Sequence, residues 1–183
     1  NETAVQKRKR KSRESLLWLK GTHGLPDDWN IIDVCDQGAD TFEFLEHELH
    51  SGRRFVIRSA YSRGTLIGHD APEQCESTHL REYARSLDEL GRWTLQVTSK
   101  VERKSPKKKG RKKLVRRTKR EATMGVASAP VQIKPPQQKL GNHGNTSLKL
   151  WVVRVWEIDP PAGEERLEWF LLSNHPVETF EDA

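Results

Sequence analysis

The chain has 183 residues, 34% hydrophobic and 32% charged, with two cysteines and a formal net charge of +6. That length accommodates one modest domain, and the longest apolar runs, such as Trp169 to Leu172, fall far short of the roughly 20 residues a helix needs to cross a bilayer. The charged opening segment has no apolar stretch behind it and does not read as a secretory leader. Cys35 and Cys75 make no disulfide framework, so a reducing cytoplasm is the expected compartment.

The charge is sharply partitioned. Residues 1–13 carry six Lys/Arg against Glu2, and residues 101–120 carry twelve against Glu102. This leaves 14 basic against 24 acidic residues, or −10, for the rest. An acidic body with two concentrated basic segments suits a polyanion, and in a cytoplasm that means nucleic acid. A solvated charge run is the plainer alternative, and composition does not separate the two.

In chain order, residues 1–13 read as a basic arm, and 13–21 as the end of a helix carrying Leu16, Leu17 and Trp18, with Gly21 as its stop. Asn30 to Cys35 reads as a short buried strand of branched residues that runs into Asp36. A helix follows, with Asp40 as its expected cap, Glu43 in capping-box position, Phe42, Leu45 and Leu49 on one face, and Gly52 at its end. Arg53 to Ser59 gives a second strand, so residues 30–59 predict strand, helix, strand with a parallel crossover.

Beyond Ser59, the pattern predicts a helix near 79–90, a strand at Trp93 to Val97 and basic low complexity over 102–120. Residues 123–146, with Pro130, Pro135, Pro136 and Gly141, are expected to be irregular except for a short strand at Val131 to Ile133. Leu148 to Ile158 and Arg166 to Ser173 flank a Pro-Pro-Ala-Gly turn and predict a hairpin. Val177 to Ala183 reads as the opening of a helix, which points to a fragment of a longer protein.

Asp36 stands at the carboxyl end of a strand and before a helix, where crossover folds place ligand-binding groups. A hard Mg²⁺ ion suits a carboxylate there, although two-metal phosphoryl transfer needs more than one. Asp33 falls on the opposite strand face, and a turn or capping role is the structural alternative for Asp36. Asp36, Gly38 and Asp40 miss the ligand spacing of an EF-hand, and Cys75 with His79 is too small a set for structural zinc. No Gly-Lys-Ser/Thr phosphate loop and no serine elbow occurs. Trp151, Trp156 and Trp169 concentrate aromatic surface in the late hairpin, either as sheet-face packing or as a platform for an unstacked base.

Four blocks carry a family resemblance. Arg13-Glu14-Ser15 with Trp18 and Gly21 matches K/R-E-S-x-x-W-x-x-G, and Val34 to Asp40 is similar to V-C-D-R-E-A-D, with Gln37-Gly38 in place of Arg-Glu. Arg53 to Ser59 is similar to R-F-V-V-R-S. Pro160-Pro161 and Gly163, then Leu167 to Ser173 and Pro176-Val177, follow P-P-x-G and L-x-W-L-L-L-T-x-x-P-V. In this order the blocks resemble an internal piece of a bacterial cut-and-paste transposase of the Asp-Asp-Glu type. The resemblance is to the insertion-sequence family that includes the kanamycin-resistance composite transposon.

The resemblance implies an α/β fold, part of an RNase H-like catalytic domain interrupted by a mainly antiparallel β insertion. Residues 1–59 would belong to the catalytic core, 60–165 to the insertion with its basic loop at 102–120, and 166–183 to the return into the core. It makes Asp36 the second catalytic, metal-binding carboxylate, with Mg²⁺ as the cofactor and Mn²⁺ able to substitute. Arg58 is implied to contact transposon-end DNA, and Trp169 to stack on a flipped base. Lys107, Lys108, Lys109, Arg111, Lys112, Lys113, Arg116 and Arg117 complete the expected DNA-binding set. Transposon-end and target DNA are the implied partners of a homodimeric, nucleoid-associated enzyme. The first catalytic Asp and the Glu are expected outside this chain, which by itself is expected to be inactive. A truncated, non-catalytic nucleic-acid-binding remnant that regulates transposition is the competing expectation.

Overall fold

A computed structural model describes residues 14–24, 30–104, 113–136 and 144–183, so the basic arm lies outside the described residues. Helix α1 spans Glu14–Thr22, and its Trp18 ring lies 6.4 Å from that of Phe44. Strand β1 (Ile32–Cys35), helix α2 (Phe42–Ser51) and strand β2 (Arg54–Arg58) realise the expected crossover. The strands are parallel, pairing Ile32 with Arg54 through Cys35 with Ile57.

Two local expectations change here. Thr41 caps α2, its hydroxyl accepting the Phe44 N–H at 3.3 Å. Asp40 is instead drawn under the loop after β2 and is 1% exposed. Strand β1 is not buried on both faces, since Ile32 and Val34 are 53% and 76% exposed. A branched run fits either situation; among the described residues β1 stands at one end of the strand order, and helices cover only the face bearing Cys35. Gly52 does end α2, in the left-handed region at φ 71°.

The remaining elements are β3 (Gly64–Ile67), β4 (Ser77–His79), α3 (Leu80–Ser86), β5 (Gly91–Val97), β6 (Lys100–Lys104), β7 (Lys113–Arg117), β8 (Arg120–Ile133), β9 (Leu148–Glu157) and β10 (Glu168–Ser173). The fold is mixed α/β, with a mostly antiparallel eight-stranded sheet in the order β1-β2-β10-β9-β8-β3-β4 and β5 also on β8. Strands β3, β4, β5, β8 and β9, from 60–165, thus share one sheet with β1, β2 and β10, while β6 and β7 form a separate two-stranded sheet. The predicted hairpin is β9–β10, with Trp156 opposite Glu168 and Trp151 opposite Ser173.

Strand β8 departs most from the sequence pattern. Rather than irregular chain with a short strand at 131–133, it is one strand of 14 residues. Its Ala, Gly and Pro content masks an element held from both edges: β9 pairs with one edge, while β5 and then β3 pair with the other. Pro130 falls just past the β3 pairing, which stops at Val131; its carbonyl accepts the Gly68 N–H at 2.9 Å, and the Gln132 side chain takes up the Gly68 carbonyl that a proline cannot serve. Gly125 is required by close approach, because a Cβ there would lie 2.9 Å from the Trp156 ring.

The main core lies between the sheet and the helices. Phe55, Ile57, Leu150, Leu172, Phe44 and Leu45 are 0% exposed within it, each contributing about 1.5–3 kcal/mol by leaving water. The other face holds smaller clusters around Met124 and Val126, to which Val177 adds from the chain after β10. The expected terminal helix is not formed among residues 177–183, which make a turn. Thr179 and Asp182 nevertheless exchange the reciprocal bonds of a capping box, at 2.9 and 3.4 Å.

Candidate nucleic-acid interface

Strand register gathers the sequence-predicted residues at one end of the sheet. Strand β2 finishes there at Arg58, opposite Leu171 of β10, and the β1–β2 register continued past Cys35 and Ile57 brings Asp36 beside Arg58. Trp169 lies on β10 two residues before Leu171, hence on the same face as Arg58 and beyond it. Strand β5 also finishes at this end, with Val97 opposite Arg120 at the start of β8. The basic segment leaves the sheet at that point.

Asp36 is exposed, and its carboxylate accepts the Gly38 N–H at 2.8 Å as it opens a short 3-10 turn over Gln37–Ala39. Arg58 is exposed too. Trp169 is half-buried, packed with Trp93 and Leu95 around Val97, Ala122 and Met124. A metal ion demands more donors than Asp36 offers. Among the described residues no group of three His, Cys, Asp or Glu could hold one. These residues therefore do not fit a complete Mg²⁺ site, and Asp36 amounts to a single ligand.

Within the basic segment, β6 and β7 pair antiparallel from Lys100 with Arg117 to Lys104 with Lys113, so its legs form a hairpin rather than low-complexity coil. Lys107, Lys108, Lys109, Arg111 and Lys112 lie outside the described residues, and Lys113 and Arg116 are placed through their strand backbone. Arg117 turns back to donate to the Thr98 carbonyl at 3.3 Å. Arg120 holds Glu157 through two bonds of 2.8 and 2.9 Å and also reaches Glu164. The Arg120 bond holds the Glu157 carboxyl below its ordinary range. Charge counting had grouped Arg120 with the free cations, but it fastens the hairpin base instead.

Two polar clusters escaped sequence reasoning. Asp40 accepts from the Ala60 N–H at 2.6 Å, the Tyr61 N–H at 3.4 Å and the Ser59 hydroxyl at 3.3 Å, and it pairs with Arg63. Arg81 donates to the Ala60 carbonyl at 2.9 Å, and its guanidinium lies 5.3 Å from the Phe170 ring centroid. At the opposite end of β1, Arg53 bonds Asp33 at 3.0 Å and Glu48 at 3.5 Å. Burial first, then Asp33, pushes the Glu48 carboxyl up to about 7. Burial, with the charges of Asp33, Glu48 and Asp36, pushes the Cys35 thiol up to about 12 and keeps it protonated. The one local signal for either cluster was a charged residue set inside an apolar pattern.

The described residues put an exposed Arg58, the Asp36 carboxylate and the Trp169 ring at the sheet end from which the basic segment departs. No known protein-family model matches the chain.

Proposed function

We propose that the chain is a DNA-binding part of a DDE-type transposase built on an RNase H-like core. In the complete protein, transposon ends are cut and joined to target DNA with Mg²⁺ or Mn²⁺. The observation that carries the reading is the position of Asp36 just past β1, Arg58 at the end of β2 and Trp169 on β10, neighbouring strands, at the sheet end where the basic hairpin departs. Arg58 and the hairpin would hold phosphates, and Trp169 would meet a displaced base. Asp36 would supply one ligand to the metal. Partner carboxylates would come from the rest of a transposase, so cleavage is not expected of this chain alone.

The test is binding of the chain to duplex DNA over a salt series. Affinity should fall steeply as salt rises, each phosphate contact adding about 0.9 to the slope of log K against log salt. Replacing Lys107, Lys108, Lys109, Lys112 and Lys113 together with Gln should flatten that slope. Weak binding that does not change with salt would refute the reading.

Among the described residues no group of three His, Cys, Asp or Glu could hold a metal, which leaves room for a second reading, a non-catalytic DNA-binding regulator of transposition. Asp36→Asn separates the two in the intact gene product. It removes cleavage while sparing end binding if the protein is a transposase, and changes neither if it is a regulator.

A further inference from the structure

Tyr61 is 63% exposed, yet the chain that carries it is tightly bonded. Its own N–H and that of Ala60 reach the buried Asp40 carboxylate, its carbonyl accepts from the Ser59 hydroxyl at 3.1 Å, and the Ala60 carbonyl accepts from Arg81. Ser59 extends the sheet by donating its N–H to the Phe170 carbonyl at 2.7 Å. Several buried or half-buried polar groups therefore hold a short loop in one conformation while leaving its aromatic side chain in water. Core packing does not explain that arrangement, because an aromatic ring gains most from burial.

One cation lies over the ring and a second precedes it in sequence. The Arg63 guanidinium lies 6.0 Å from the Tyr61 ring centroid and is itself fixed by Asp40. Arg58 is exposed at the end of β2, three residues before Tyr61 in sequence. A rigidly presented aromatic with a cation on its ring and an exposed Arg three residues away in sequence has the components that proteins use to stack an unpaired base while holding its phosphate. Stacking tolerates any base, because every base offers a π-face.

The geometry points to Tyr61 as a stacking platform for an unpaired base at a single-stranded or frayed DNA end, with Arg58 on the neighbouring phosphate. This rests on the DNA-binding reading above and adds a second aromatic contact, in the β2–β3 connection rather than on β10. The platform selects DNA ends with displaced bases over uninterrupted duplex.

The experiment uses the full chain and two DNA probes, a blunt duplex and the same duplex with a short single-stranded overhang containing 2-aminopurine. The wild-type chain should bind the overhang probe about fivefold or more tightly than the blunt one and quench the 2-aminopurine fluorescence. Tyr61→Ala should lose both the preference and the quench, whereas Tyr61→Phe should keep them because the ring does the stacking. Equal thermal midpoints for the three proteins would establish that the effect is local. Overhang binding by Tyr61→Ala equal to wild type would overturn the platform while leaving duplex binding intact. Loss in Tyr61→Phe equal to that in Tyr61→Ala would assign the contact to the hydroxyl and overturn stacking. Failure of the wild-type chain to bind either probe would overturn both this inference and the function on which it rests.

Discussion

At the start of β1, Asp33 has 13% of its side chain exposed and meets Arg53, which also reaches the fully buried Glu48. At the other end of the same strand Asp36 is exposed and accepts one bond from Gly38, while Asp40, just beyond the turn, is sealed beneath residues 59–63. Three aspartates within eight residues thus divide into two that hold the fold and one left accessible to a ligand. A buried carboxylate must find donors, because taking its charge out of water costs several kcal/mol. An exposed carboxylate carries no such demand and remains available for chemistry.

The sharpest way to break that contrast is Asp40→Ala. It strands Arg63 and the loop N–H groups and should cost about 3–5 kcal/mol in urea-induced unfolding. A loss below about 1 kcal/mol would show that water readily replaces the carboxylate. Next in size is the pH response of Glu48, whose folded-state value of about 7 lies above the ordinary 4.5. Its stabilisation is therefore complete below about pH 4.5 and is lost as pH rises through about 7, amounting to roughly 3 kcal/mol by pH 8. Glu48→Gln should flatten that segment of the stability profile, and an unchanged pH slope would assign the response to another group. The smallest expected effect is that of Asp36→Asn, within about 0.5 kcal/mol of wild type in the same unfolding measurement. Asn retains an oxygen for the Gly38 N–H, so a loss above about 1 kcal/mol would place Asp36 with its structural neighbours.

Legibility in the sequence followed how local each element's cause was. The β1–α2–β2 unit could be read because branched runs, a capping signal and a terminal glycine lie within 30 contiguous residues, and the β9–β10 hairpin because its turn chemistry sits between alternating strands. The candidate site was legible as separate residues, Asp36 and Trp169 standing 133 positions apart in the numbering. Residue types alone carried no information that Arg58 pairs with Leu171 or that the basic hairpin emerges at the same end.

The sequence by itself determined which segments alternate, where charge concentrates and which residue types could serve an anion or a metal, since these depend on neighbours along the chain. Only the tertiary structure decided that one face of β1 is left uncovered among the described residues, that the weakly patterned β8 is a strand paired on both sides, that Asp40 faces inward while Thr41 caps, and that Arg120 is tied to Glu157. Those outcomes depend on partners distant in sequence, and a side chain's burial or pairing is set by what packs against it rather than by what precedes it.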